Sequence, residues 1–167
     1  MRNIGRIGEH EMEGIKLPER VRGENKTTRQ KEAKLIQVLA THLGYSGYQF
    51  PPRSGKYRID GYLTKDDGTI TGWVEAKWYD DGKHPYCAVN ATKYLELQDL
   101  AREFSVPSYF VCRRQGGWGF STINNGIWNK HSVSLRIGGG TPAHRPPNDD
   151  DIEPLVFMDK DGFQWFK

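Results

Sequence analysis

The chain has 167 residues, of which 36% are hydrophobic and 12% aromatic, and this is enough for one globular domain with a hydrophobic core. Its formal net charge of +3 is too small to indicate a nucleic-acid partner by itself. The two cysteines, Cys87 and Cys112, show no metal-ligand spacing and exclude a disulfide-rich secreted fold. Because the sequence has neither an apolar signal region nor a membrane-length apolar run, we expect a cytoplasmic protein with no membrane partner.

Residues 1–26 are predicted to form a basic, flexible arm. They alternate charged residues with glycines and show no sustained hydrophobic period. The segment from Lys16 to Lys34 carries seven Lys or Arg residues against three Glu residues. Such an excess of cations fits contacts with phosphates, and it fits a solvated arm equally well.

A helix is predicted from residue 27 to about residue 43. Thr27-Thr28-Arg29-Gln30 matches a capping box at its start, and Gly44 is typical of a helix end. The apolar positions form one stripe, made of Leu35, Ile36, Leu39 and Leu43. Glu32 lies on the same stripe one turn earlier, where an unpaired charge would be costly to bury. Its partner is therefore either a basic residue or the edge of a metal site.

The segment Tyr57–Trp78 has the pattern of a β-hairpin. Two runs of alternating residues flank Asp67-Gly68, a dipeptide that favours a tight turn. If these two residues form the loop, the opposite pairs are Asp60 with Glu75, Tyr62 with Trp73, and Arg58 with Lys77. On the second strand, Val74 and Ala76 then face one way and Glu75 faces the other.

Two adjacent carboxylates at Asp60 and Glu75 repel each other, and each raises the pKa of the other. One interpretation is a pair of solvated surface charges, which is common across hairpins. The other is a divalent cation held between them, since Mg²⁺ takes oxygen ligands. The apolar neighbours Ile59, Val74 and Ala76 favour the cation, because they place the acids at the edge of a core strand.

Beyond the hairpin the sequence predicts a second helix over Val89–Phe104, with Asn90 as a candidate cap. Its apolar side comprises Val89, Leu97, Leu100, Ala101 and Phe104. Pro107–Cys112 is predicted to be a strand buried on both faces. Further strands are expected at 118–123, 127–137 and 155–166, with a long loop at 138–154. We therefore expect an arm (1–26), a core (27–113) and a C-terminal β-rich extension of the same domain (114–167).

The ordered set of Glu32, Asp60 and Glu75-Ala76-Lys77, followed by a helix and a strand, resembles the PD-(D/E)XK nuclease superfamily. The resemblance covers residues 27–113, and it departs from the family pattern at Ile59, where a proline is usual. It implies a restriction-endonuclease-like αβββαβ core, with a mixed sheet flanked by helices. The segment Lys93–Phe104 followed by Pro107 also resembles junction-resolvase members, in which a Lys or Gln near the start of that helix projects toward the site.

The resemblance implies a Mg²⁺-dependent DNA endonuclease, similar to phage and Holliday-junction-resolvase-like enzymes. It also implies that Mn²⁺ can replace Mg²⁺. Asp60, Glu75 and the Ala76 carbonyl would hold the metal, with Glu32 as a further ligand or an orienting group for water. Lys77 would stabilise negative charge or help to deprotonate the nucleophile, and Lys93 would be auxiliary. The alternatives are a restriction- or repair-type nuclease, or a nucleic-acid-binding module of the same fold that does not cleave.

Several basic residues are candidates for contacts with the DNA backbone. They are Arg20, Arg22, Lys26, Arg29, Arg58, Arg113 and Arg114. A homodimer is a further expectation, and a phage-encoded protein would act in the host cytoplasm. The amino-acid sequence does not indicate which DNA shape or base sequence is cut. It also does not indicate whether the 138–154 loop or Lys93 contacts the substrate.

Overall fold

The computed structural model describes residues 26–51, 59–79, 87–114, 116–123, 133–138 and 153–167. The helices are α1 (Lys26–Leu43) and α2 (Ala91–Phe104). The strands are β1 (Gly47–Gln49), β2 (Gly61–Thr64), β3 (Ile70–Trp78), β4 (Cys87–Asn90), β5 (Ser108–Arg114), β6 (Gly117–Ile123), β7 (Val133–Gly138), β8 (Glu153–Met158) and β9 (Gln164–Phe166). A 3₁₀ turn at Lys160–Gly162 separates the last two strands.

A six-stranded mixed sheet, in the order β1-β2-β3-β5-β6-β9, forms the centre of the fold. Strands β3 and β5 are parallel, and the other neighbours are antiparallel. The expected mixed sheet flanked by helices is therefore confirmed. The C-terminal strands divide between two sheets, because β6 and β9 extend the central sheet while β7 and β8 form a second, antiparallel sheet with β4.

Helix α1 covers one face of the central sheet with the predicted stripe. Leu35, Ile36 and Leu39 are fully buried and belong to a cluster with Val74 and Ala76 of β3. The helix ends at Gly44, which has a φ of 76°. Its N–H donates to Thr41 O at 3.3 Å and the next N–H donates to Ala40 O at 2.9 Å, so the last carbonyls are satisfied in a Schellman arrangement. The predicted helix end is confirmed.

Helix α2 covers the opposite face with Tyr94, Leu97 and Leu100, which join a second cluster with Trp73 and Phe110 of the sheet. One prediction for this helix was wrong. Val89 lies in β4 and not in the helix, because its segment pairs with β8. Phe104 lies on the predicted apolar side, where its ring contacts Trp73 at 5.2 Å between centroids, but as the last residue of the helix it is 50% exposed.

The predicted register of the hairpin is confirmed, although the predicted turn is not. Gly61 pairs with Val74 and Tyr62 pairs with Trp73. The loop runs over residues 65–69 and is closed by a hydrogen bond from Lys65 N–H to Thr69 O at 3.0 Å. By itself, a loop with an odd number of residues would move the side chains of β3 to the opposite faces of the sheet. Just after the loop, however, Thr71 is an extra, unpaired residue on β3, and this shifts the register by one residue. This bulge restores the expected faces.

The bulge and the short first strand move two apolar side chains from the faces that alternation predicts. Strict alternation along β3 would place Ile70 beside Val74, but it packs against the cluster on the α2 side because it precedes the bulge. Alternation would likewise place Ile59 beside Leu63, and it also lies in the α2-side cluster. Residue 59 precedes β2, so the two-residue period of the strand does not extend to it.

Candidate active site

Asp60 lies immediately before β2, and its backbone and side chain both bond to β3. Its N–H donates to Val74 O at 3.2 Å, and its Oδ2 accepts a hydrogen bond from Ala76 N–H at 2.8 Å. The second bond takes the place of the strand pairing that would otherwise continue beyond Gly61. It holds the carboxylate next to Glu75, and the other oxygen, Oδ1, lies 3.4 Å from Lys93 Nζ.

Glu75 lies in the middle of β3 with only 3% of its surface exposed. Its Oε1 accepts a hydrogen bond from Lys93 Nζ at 2.5 Å, whereas Oε2 is buried and has no hydrogen-bond partner among the described residues. Burial raises the pKa of Glu75 well above its usual range, the neighbouring Asp60 charge raises the pKa further, and Lys93 opposes both effects. Desolvation by burial is thus the largest influence on the Glu75 carboxyl.

Lys93 is the positively charged partner of both Asp60 and Glu75. The helix that carries it begins at the cap Asn90, whose side chain accepts hydrogen bonds from Thr92 N–H at 2.7 Å and Lys93 N–H at 3.4 Å. Lys93 Nζ lies 2.5 Å from Glu75 Oε1 and 3.4 Å from Asp60 Oδ1. Burial lowers the pKa of Lys93, but the two carboxylates together outweigh burial and raise the pKa above its ordinary value.

Replacing Asn90 by alanine should destabilise the protein by about 1 kcal/mol, because two N–H groups at the start of α2 lose their acceptor. Thermal or urea unfolding measures the change. Asn90→Asp keeps an acceptor oxygen and should stay near wild-type stability. Equal stabilities for the alanine variant and the wild type would show that water replaces the cap at no cost.

An open cleft of about 390 Å³ lies on the α2 side of the central sheet, next to the carboxylates. Its lining includes Glu75, Lys77, Asn90, Thr92, Lys93 and Leu155. Lys77 is exposed and shares a face of β3 with Glu75, two residues before it. The lining also includes Glu96, so the cleft carries two lysines and two glutamates, and Lys77 is the exposed ammonium among them.

The Ala76 carbonyl faces the same edge of β3 as Asp60. Trp73 N–H donates to Pro107 O and Tyr79 N–H donates to Arg113 O, so the odd-numbered residues of β3 bond toward β5. The N–H and C=O groups of one strand residue point the same way, and successive residues alternate. Because the Ala76 N–H donates to Asp60, the Ala76 carbonyl points toward the same edge of β3, where Asp60 lies.

Glu32 is not brought together with Asp60 and Glu75. Its helix α1 packs on the face of β3 that holds Val74 and Ala76, whereas the side chain of Glu75 projects from the opposite face. Within the described ranges, no group of three or more His, Cys, Asp or Glu side chains lies close enough to hold a metal ion. Glu32 is therefore not part of any such group in those ranges, and its expected role beside the metal stays a prediction.

The candidate DNA contacts are spread over several elements. Arg20, Arg22 and Arg58 lie outside the described residues, Lys26 begins α1, and Arg29 is half-buried in α1. Arg113 and Arg114 were expected to follow a strand, but both lie within β5, which pairs with β6 as far as residue 114. Arg114 is only 8% exposed, so its side chain is largely closed to a phosphate.

Sequence reasoning missed one neighbour of the site and one cluster on the other face of the sheet. Leu155 of β8 reaches the cleft because β8 pairs with β4, where it lies opposite Asn90. On the α1 side, Trp78 has two cations over its ring, with Arg113 at 4.7 Å and Lys31 at 5.5 Å from its centroid. Both arrangements join segments that are distant in the chain, and no local pattern in the sequence indicates them.

No protein-family model matches the chain, and no curated protein matches it. Among solved structures, the chain is similar to the Holliday junction resolvase Hjc of the archaeal hyperthermophile Archaeoglobus fulgidus. The similarity covers 54% of this chain and 70% of that one, with 19% sequence identity and a TM-score of 0.39. At these values no argument about activity rests on it. In the part of the chain that the structure describes, no helix is both long enough and apolar enough to cross a membrane.

Proposed function

We propose that the chain is a Mg²⁺-dependent nuclease that hydrolyses phosphodiester bonds in DNA. The observation that carries this proposal is the buried Glu75, which has one unpartnered oxygen and lies beside Asp60 at the wall of an open cleft. A buried acid without enough positive charge is costly unless it serves a ligand. The exposed Lys77 beside it suits the anionic substrate of such an enzyme.

The residues present fit a divalent cation. Asp60 Oδ1, the oxygens of Glu75 and the Ala76 carbonyl form a set of hard oxygen donors, and Mg²⁺ typically takes one or two carboxylates together with water and substrate phosphates. When bound, Mg²⁺ would polarise a phosphoryl oxygen and make water a stronger nucleophile. Mn²⁺ prefers similar oxygen donors and should substitute for it.

The protein's own groups would position the substrate and balance its charge. Asp60 is held in place by its hydrogen bond from Ala76 N–H, so its other oxygen, Oδ1, keeps a fixed position 3.4 Å from Lys93 Nζ. Lys77 would place its ammonium near the scissile phosphate, where negative charge develops during attack. Glu32 has no assigned step here, because its helix packs on the other face of the sheet.

DNA is the favoured substrate, and four-way junctions are the first structures to test. The reason is the similarity of the Lys93–Phe104 segment and Pro107 to junction-resolvase members. Restriction- and repair-type cleavage remain the alternatives within the same chemistry. A homodimer stays a prediction, which sedimentation of the purified chain checks.

The Trp78 stack offers a place for the DNA backbone. Arg113 and Lys31 lie over the same indole ring, at the end of β3 that also bears Lys77. The flat ring restricts both side chains, so less conformational entropy is lost when they contact phosphates. The stack lies on the α1 side and Lys77 on the α2 side, so the proposed DNA strand crosses the end of β3 between the two faces.

Replacing Arg113 by glutamine should weaken DNA binding and reduce the slope of log K against log salt by about 1, because one phosphate contact is lost. Fluorescence anisotropy at several salt concentrations, in Ca²⁺ to prevent cleavage, measures the slope. Lys65→Gln removes the same charge from an exposed turn and should change the slope little. Equal slopes for the two variants would remove Arg113 from the interface.

The function is tested by offering the purified chain duplex, single-stranded, flap and four-way DNA with Mg²⁺, Mn²⁺ or EDTA, and mapping the products. Cleavage that requires the metal supports the proposal, and the preferred substrate identifies the class. Tight DNA binding without cleavage in any metal would instead support a non-cleaving binding module. The complete ion pair between Lys93 and the two acids favours that second candidate, since it balances much of their charge without a metal.

A further inference from the structure

The ammonium of Lys93 lies where a cation between the two carboxylates would lie. It contacts Glu75 Oε1 at 2.5 Å and Asp60 Oδ1 at 3.4 Å, and its side chain is 33% exposed at the mouth of the cleft. The other oxygen of Asp60 already accepts the hydrogen bond from Ala76 N–H. Lys93 therefore contacts Oδ1, the Asp60 oxygen that does not accept the backbone hydrogen bond.

A divalent ion and this ammonium compete for the same oxygens. Mg²⁺ binds oxygen at about 2.0–2.1 Å, so an ion shared by Asp60 Oδ1 and Glu75 would overlap the position of Lys93 Nζ. The two positive charges would also repel strongly in a partly buried site. Glu75 Oε2 is buried and makes no hydrogen bond among the described residues, so Oε1 and Asp60 Oδ1 are the oxygens that Lys93 occupies.

We propose that Lys93 is the resident counter-ion of the carboxylate pair, and that divalent metal binds by displacing its ammonium. Lys93 holds the two acids together before metal arrives, and its ion pair sets the metal concentration at which the site fills. Its partial exposure allows the side chain to swing into the cleft without unfolding α2. Lys93 is thus a positioning residue, and the inference rests on the proposed function for the role of the metal.

Calorimetric titration of Mg²⁺ and of Mn²⁺ into the full chain, without DNA, tests the competition. Lys93→Met should bind either ion at least about tenfold more tightly than the wild type, a difference of about 1.4 kcal/mol. Lys65→Met is the matched control, because it removes a lysine charge from an exposed turn, and its affinity should equal that of the wild type. Equal or weaker binding by Lys93→Met overturns the inference.

The wild-type chain supplies a second measurement that does not depend on the stability of a variant. The side-chain ammonium ¹H–¹⁵N signal of Lys93 should be slow to exchange in metal-free buffer, and Mg²⁺ should abolish or shift it. A signal that stays unchanged while the ion binds overturns the inference and leaves the proposed nuclease standing. Absence of divalent-ion binding by both the wild type and Lys93→Met, with and without DNA, overturns both.

Discussion

Replacing Asp60 by asparagine should lower the rate of DNA cleavage by at least about 10³-fold, equivalent to about 4 kcal/mol in the activation barrier. The variant removes one negative charge from the proposed metal site. Asparagine keeps an oxygen that can accept the hydrogen bond from Ala76 N–H, so the loop before β2 should retain its position. The single-turnover rate on the preferred DNA substrate measures the loss.

The loss should come from chemistry and not from folding or from DNA binding. Thermal unfolding of Asp60→Asn should stay close to the wild type, because Lys93 keeps its shorter contact with Glu75. DNA affinity measured in Ca²⁺ or EDTA should be unchanged or higher, since one negative charge next to the phosphates is gone. A variant that folds, binds and cleaves at the wild-type rate would end the proposal that Asp60 holds the metal.

Replacing Lys77 by methionine should lower the cleavage rate by about 10²–10⁴-fold, the usual range for a group that assists proton transfer or stabilises developing charge. Lys77 is exposed and makes no ion pair in the part of the chain that the structure describes, so the free energy of unfolding should change by less than about 0.5 kcal/mol. Rate and stability are measured on the same preparation.

The matched control is Lys65→Met, which changes an exposed lysine in the hairpin loop at the far end of β3. It should cleave like the wild type. Metal affinity of Lys77→Met should also be unaffected, because Lys77 does not contact the acids directly, and this separates its role from that of Lys93. If both lysine variants cleave at the same rate, Lys77 has no part in the reaction.

The sheet and the acid pair could be predicted from local patterns. Side chains of a strand alternate with a period of two, and this places Glu75 on the face opposite Val74. The register of Tyr62 with Trp73 was also correct, although the loop was longer than expected. The bulge at Thr71 compensated for the odd loop, because burial of Val74 and Ala76 specifies the face more strongly than the turn does.

The set around the acids was only partly predictable. Glu32 shares a helical stripe with Leu35 and Ile36, but a stripe does not state which face of the sheet it will cover, and α1 covers the face away from Glu75. Arg114 looked like the start of a loop, yet β5 continues through it and buries it, because β6 pairs along its whole length.

The sequence by itself therefore determined the hairpin, the C-terminal end of α1 and the juxtaposition of Asp60 with Glu75, because each depends on side-chain period or on residues close in the chain. The predicted capping box is not formed, since α1 begins at Lys26 and Thr27 lies within it. Only the tertiary structure decided that Lys93 Nζ contacts both acids and that Leu155 lines the cleft. Those contacts depend on how α2 and the β4-β8-β7 sheet pack on the central sheet. That arrangement is fixed by the burial of whole faces, including Leu97, Phe110 and Val156, and not by any short segment.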